Sequence, residues 1–263
     1  MKNLVLAVFF ICNLATTARA QNYEKLFTLP MGESRFTTDP IGNIYLFSQG
    51  DITKLDRTGK EAGKYSTREF GDISYVDASN PMKILVVFAA FSKAVILDAG
   101  MASNSTFDLN IQGAPFVKLI CTSRSDGYWI FDPVAKKIKR INDQSGILQE
   151  GTELRQISED PLEPVWIGDS GKWLLLNVPD YGILVFDSFG TYFKTLRPGT
   201  KGQIQASGDE VLYKEGDRIQ QISISSGITK TFIIPENEAS DEFRIEGNRL
   251  LISHQKNLTV YSY

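Results

Sequence analysis

All-β is the fold class this sequence predicts, in the form of a ring of six four-stranded antiparallel blades, a six-bladed β-propeller. Three observations predict it. A unit of about 40 residues recurs six times. Each copy breaks into short apolar runs bounded by turn residues, with no sustained helical period. The last copy stops one strand short, while a strand with no blade of its own stands near the start.

The chain opens with Lys2, the apolar run Leu4 to Ile11 and the small-residue ending Ala18-Arg19-Ala20. This is the pattern of a cleaved signal peptide, so residues 1–20 are expected to direct export and residues 21–263 to form a single propeller domain. The apolar run is too short to span a bilayer core of about 30 Å, and no later run reaches the roughly 20 residues a span needs. Ile11 before Cys12 is too large for lipid attachment. Cleavage would remove Cys12 and leave Cys121 without an intramolecular partner, so packing must supply the stability. It would also leave 26 basic against 31 acidic residues, a net charge of −5 with no block of like charge. That balance argues against nucleic acid as a partner.

The next element, Tyr23 to Leu29, reads as the unassigned strand. The second strand of each blade follows from an apolar run behind a turn: Ile44 to Phe47, Ile84 to Phe88, Tyr128 to Phe131, Trp173 to Leu176, Val211 to Tyr213 and Leu250 to Ile252. Several are apolar on both faces, as expected of strands sandwiched between neighbouring sheets. The third strand of five copies ends in a short polar residue and a glycine, as in Asp56 to Gly59, Asp98 to Gly100, Asn142 to Gly146, Asp187 to Gly190 and Ser225 to Gly227. Asp, Asn and Ser accept backbone N–H groups in turns and glycine takes positive φ, so these are hairpins between third and fourth strands. The sixth copy ends at Tyr263 without one. Pairing Tyr23 to Leu29 as its outer strand completes the last blade, closes the ring and removes two exposed edges. The longest irregular stretch is expected over Gln149 to Pro164.

The runs Gly42-Asn43-Ile44-Tyr45 and Val185-Phe186-Asp187-Ser188-Phe189-Gly190 resemble the repeats of six-bladed propellers of the NHL type. The chain is also similar to exported propellers of bacterial envelopes. The resemblance covers nearly all of residues 21–263 and implies a fold, because its motifs encode hairpins.

Catalytic patterns are sparse. Ile167 to Trp173 is similar to the Asp-box turn of sialidase-like propellers, but Ile167 replaces the expected Ser, and Arg35, Arg68 and Arg244 are scattered in sequence. Lactonase-like propellers place carboxylates and Asn around an axial divalent cation, and Asp39, Asp77, Asp169 and Glu246 recur near first-strand ends. Their plainer reading is as turn residues. His254 is the sole histidine, no Gly-x-Ser-x-Gly elbow exists, and no phosphate loop, dinucleotide fingerprint or zinc spacing appears. No catalytic, metal or cofactor residues are assigned.

The remaining expectation is a surface. Loops from strand four to the next strand one share a face with loops from strand two to strand three, and this face carries Arg68, Phe70, Phe91, Tyr181 and His254. Aromatic and Arg side chains are common anchors of contacts. The function expected is a monomeric, exported, non-catalytic docking module for a protein, peptide or glycan partner, periplasmic or extracellular in a bacterial envelope, with a metal-dependent, lactonase-like propeller hydrolase as the alternative.

Overall fold

The computed structural model describes residues 22–197, 199–235 and 242–263; the export signal expected over residues 1–20 lies outside them. Among the described residues twenty-four strands form six sheets of four. Blade one holds β1's successors β2 (Arg35–Thr38), β3 (Ile44–Ser48), β4 (Asp51–Leu55) and β5 (Glu61–Ser66), where β1 is Glu24–Pro30. Blade two holds β6 (Tyr75–Asp77), β7 (Ile84–Phe88), β8 (Lys93–Leu97) and β9 (Ser103–Asp108). Blade three holds β10 (Ile120–Thr122), β11 (Tyr128–Asp132), β12 (Lys137–Ile141) and β13 (Ile147–Glu153). Blade four holds β14 (Trp166–Asp169), β15 (Leu174–Val178), β16 (Gly182–Phe186) and β17 (Tyr192–Leu196). Blade five holds β18 (Ile204–Ser207), β19 (Glu210–Glu215), β20 (Arg218–Ser223) and β21 (Thr229–Ile233). Blade six holds β22 (Glu242–Glu246), β23 (Arg249–His254) and β24 (Asn257–Ser262), with β1 antiparallel to β24 as its outer strand.

The ring is therefore closed by the N-terminal strand. Phe27 and Leu29 alternate inward on β1 and pack with Leu258 and Val260, while Tyr23 meets Tyr261 and Tyr263 edge-on, each at 6.0 Å between ring centres. The middle strands β7 and β16 are buried on both faces, every residue being inaccessible. Their side chains fill the layers between adjacent blades. Tyr45 and Val86 share one such cluster, and Leu85 and Ile130 share the next. This explains why these strands are apolar throughout instead of alternating.

Four of the predicted hairpins repeat one hydrogen-bond pattern. Asp56, Asp98, Asn142 and Asp187 each use one side-chain oxygen to accept the backbone N–H groups two and four residues on, at 2.8–3.0 Å. The fifth differs: Ser225 is a donor there, giving its N–H and its hydroxyl to Asp209 from the preceding turn. One boundary also differs from expectation. Gln149 to Glu153 belong to β13 and are not irregular, because this solvent-facing outer strand pairs with β12 through two register shifts and carries polar residues that hide a strand period. Among the described residues no helix is long and apolar enough to cross a membrane.

Candidate functional site at the propeller axis

The innermost strand of each blade has one edge with no strand beside it, and that edge faces the axis. Those unpaired backbone groups require partners. Side chains of the neighbouring blade supply them. Glu242 Oε2 accepts the Phe36 N–H (3.2 Å), Asp77 Oδ2 the Thr122 N–H (2.8 Å) and Asp169 Oδ2 the Arg124 N–H (3.0 Å). Gln203 and Gln205 accept the N–H groups of Phe243 and Ile245, both at 2.8 Å. In the other sense Arg35 donates to the Ser74 carbonyl (3.1 Å) and Arg244 to the Ile204 carbonyl (3.3 Å).

Thr37, Tyr75, Trp166, Ile204 and Arg244 line the cavities on both sides of them and so form a waist across the axis. Above the waist, toward the starts of the first strands, lies a chamber of about 560 Å³. This size falls within the range of about 300–1,000 Å³ typical of ligand pockets. Its wall carries Phe47, Tyr75 and Trp166 together with Arg35, Lys118, Lys201 and Arg244, against one carboxylate, Glu242. Gly168 lets the Trp166 ring lie along β14, since a Cβ there would fall inside the ring's van der Waals envelope. Arg35 reaches Glu242 at 3.1 Å and sits 5.4 Å from the Phe47 ring centre. Lys201 pairs with Asp180 (3.3 Å) outside the chamber. The loop that delivers Lys118 is tied down by Lys139, which donates to the Gly113 carbonyl at 2.5 Å and pairs with Asp132 at 2.7 Å.

Arg244 is held by neutral acceptors: the Ile204 carbonyl and the Thr37 hydroxyl (3.2 Å). Its Nε is buried with no hydrogen-bond partner, and among the described residues no carboxylate makes an ion pair with it. Burial pushes the Tyr75 phenol well above its ordinary range; Asp77 adds to the rise and Arg244 opposes it.

Below the waist is a smaller cavity of about 80 Å³, bordered by Asp77, Asp169 and Glu246. These carboxylates do more than shape turns. Asp77 accepts the N–H of Ser79 (2.9 Å) as well as that of Thr122, and Asp169 the N–H of Gly171 (2.7 Å) as well as that of Arg124. Glu246 Oε1 accepts the Thr38 hydroxyl (2.7 Å) and the Gln205 amide (3.0 Å) and closes no turn. Asp39 is the plain turn residue, satisfied by Ile41, Asn43 and Tyr45. Burial raises the carboxyl groups of Asp169 and Glu246 above their ordinary range. Among the described residues no three His, Cys, Asp or Glu side chains are grouped as ligands for one ion.

The residues assigned to the docking face from sequence lie on its rim, outside the chamber. Arg68 is exposed and pairs with Asp51 (3.0 Å). Phe91 is 55% exposed and stands over Gly71. Phe70 and Tyr181 are half-buried against their own blades, Phe70 edge-on to Phe88 at 5.5 Å and Tyr181 beneath the Arg197 guanidinium at 5.3 Å. His254 is half-buried at the end of β23, before the tight turn at Gln255 and Lys256. Arg35 and Arg244, scattered in sequence, do meet in one chamber, and Arg68 does not join them. Sequence reasoning missed Tyr75, Lys118, Trp166 and Lys201. The available signal was alternation, as in Glu242-Phe243-Arg244-Ile245-Glu246, where Phe243 and Ile245 pack in the apolar layer and Glu242, Arg244 and Glu246 line the axial cavities. Cys121 is fully buried, and burial pushes its thiol well above the ordinary range.

No protein-family model matches this chain, and no curated protein matches it. Solved structures do. The WD40 domain of Neurospora crassa Pan2 is 7% identical, with 91% of this chain and 95% of that chain covered and a TM-score of 0.62. Virginiamycin B lyase from Staphylococcus aureus is 14% identical, with 92% and 100% covered and a TM-score of 0.62. BamB from Moraxella catarrhalis is 11% identical, with 92% and 98% covered and a TM-score of 0.55. At such identities the likeness extends to architecture alone, and it agrees with the six sheets described above: the chain is a six-bladed β-propeller.

Proposed function

We propose that this chain is an exported, monomeric, non-catalytic docking propeller that receives a protein, peptide or glycan partner in a bacterial envelope. The partner enters on the face where the first strands begin. The observation that carries this reading is the axial chamber of about 560 Å³ opening on that face, walled by Phe47, Tyr75 and Trp166 and rimmed by cationic side chains. Large aromatics and Arg contribute most of the energy in protein contacts. Export rests on the pattern of Met1 to Ala20. The lower cavity offers less, because its carboxylates are occupied in joining blades.

The test is site-specific photo-crosslinking in cells that make the chain with residues 1–20 in place. A benzophenone amino acid is placed at Phe91 or Lys118 on the proposed face, and at Phe189 or Ile41 on the opposite one, all four being exposed. Discrete adducts from the first pair alone are expected, in the exported fraction. Adducts from the second pair alone, equal adducts from both, or none would overturn the reading.

A further inference from the structure

We infer that the upper chamber is an anion site, and that its ligand is the free C-terminal carboxylate of a partner polypeptide, seated on Arg244 with its last side chains against Trp166 and Tyr75. This rests on the docking reading and goes further by naming the chemistry that enters.

The first argument is an electrostatic imbalance. Among the described residues four cations, Arg35, Lys118, Lys201 and Arg244, line the chamber against one carboxylate, Glu242; with Lys201 paired to Asp180 outside it, the local balance is 3 − 1 = +2 on a chain whose formal charge is −3. Glu242 is already engaged by Arg35 and the Phe36 N–H. The positive field inside the chamber is thus opposite in sign to that of the molecule, and low-dielectric walls concentrate it.

The second argument is an incompletely satisfied cation. A guanidinium withdrawn from water is costly unless paired, yet the half-buried Arg244 donates only to the Ile204 carbonyl and the Thr37 hydroxyl, at 3.3 and 3.2 Å, its buried Nε has no acceptor, and Glu246 acts on it only through space. A planar carboxylate matches the two-pronged guanidinium edge. The walls supply the third argument. Phe47, Val76, Trp166 and Ile204 offer apolar surface beside the cation, which suits a carboxylate on an apolar body better than a free inorganic anion or a neutral sugar. Capture of a chain end is a recurring mode of peptide recognition.

The experiment titrates the ¹⁵N-labelled protein with N-acetyl-Leu-Phe bearing a free carboxyl, with its C-terminal amide, and with the amide of N-acetyl-Leu-Phe-Glu. The readout is the Arg244 Nε–H resonance, assigned by its loss in Arg244→Lys. Loss of one charge-assisted hydrogen bond corresponds to about tenfold or more in affinity. The free acid is therefore expected to bind at least about tenfold tighter than either amide and to shift the Nε–H signal. Arg244→Gln, which keeps an amide donor for Ile204 and Thr37, should remove that preference. Should this variant fold poorly, Lys118→Gln at the exposed rim should reduce affinity for the acid about two- to threefold while leaving the neutral amide of N-acetyl-Leu-Phe unaffected. Equal binding of acid and amide, no binding, or a preference that survives Arg244→Gln would overturn the anion site. The Glu-bearing amide binding as well as the free acid would overturn the chain end as its source. Rim crosslinks at Phe91 and Lys118 that persist beside any of these failures would leave the docking reading standing.

Discussion

Glu246, at the end of β22, accepts the Thr38 hydroxyl of blade one at 2.7 Å and the Gln205 amide of blade five at 3.0 Å on the same oxygen. One carboxylate on blade six thus holds both of its neighbours across the closure of the ring. The lower end of the axis is a structural clasp, and the chamber above the waist is the part left open to a ligand.

Glu246 gives a pH signature with a definite sign. Burial raises its folded-state carboxyl above the ordinary value, so the native state binds more protons than the unfolded one in the window between the two. The contribution is fully present below the ordinary carboxylate range and is lost as pH rises through the raised value. Asp169 has the same sign. Glu246→Gln keeps the acceptor oxygen and should flatten that decline in thermal melts across weakly acidic pH. Glu246→Ala strands two donors and should cost about 1–3 kcal/mol at every pH.

Ring closure is the second expectation. Deleting residues 23–29 uncovers the edge of β24 and strips Phe27 and Leu29 from their cluster with Leu258. The loss of packing alone is at least about 2 kcal/mol. A melting temperature lower by roughly 5 °C or more, with reduced solubility from the open edge, is expected by calorimetry and light scattering. A deletion that melts like the intact chain would contradict this closure.

Gly168 sets the position of an aromatic wall. Gly168→Ala puts a methyl into the Trp166 ring and should cost about 1–3 kcal/mol through overpacking. Because Trp166 lines the waist, its fluorescence should shift in parallel, which a remote core substitution of similar cost would not produce.

Cys121 should be inert. Its thiol is inaccessible and pushed well above the ordinary range by burial, so an aromatic disulfide reagent is expected to label it only after unfolding. Rapid labelling of the native protein would show that the first strand of blade three opens.

The blades were legible because each hairpin repeats a chemical device at a fixed period, as Asp56 and Asp187 do with the N–H groups two and four residues on. Closure was legible because Tyr23 to Leu29 had no other partner. The site was only partly so. Phe70 and Tyr181 sit on the expected face, but Phe88 and Arg197 hold them in, and a sequence cannot show whether a loop aromatic folds back on its own blade. Arg35 and Arg244 are 209 positions apart in the chain, and only the curvature of the ring brings them together. The carboxylates read as turn residues because most of them adjoin the turn into the second strand; the second role of Asp77 and Asp169 depends on the free strand edge of a neighbouring blade, and Glu246 instead accepts the Thr38 hydroxyl and the Gln205 amide.

The claim that the chamber face is where partners bind is tested most directly by paired measurements of affinity for the crosslinked partner and of thermal stability. The variants are Arg35→Ala, Phe91→Ala and Lys118→Ala on that face, and Asp56→Ala and Asp187→Ala in the opposite hairpins. At least one of the first three is expected to lose more than about 1 kcal/mol of binding with a nearly unchanged melting temperature. The two hairpin variants should lose about 1 kcal/mol of stability and bind normally. Binding losses confined to Asp56→Ala and Asp187→Ala would contradict the claim.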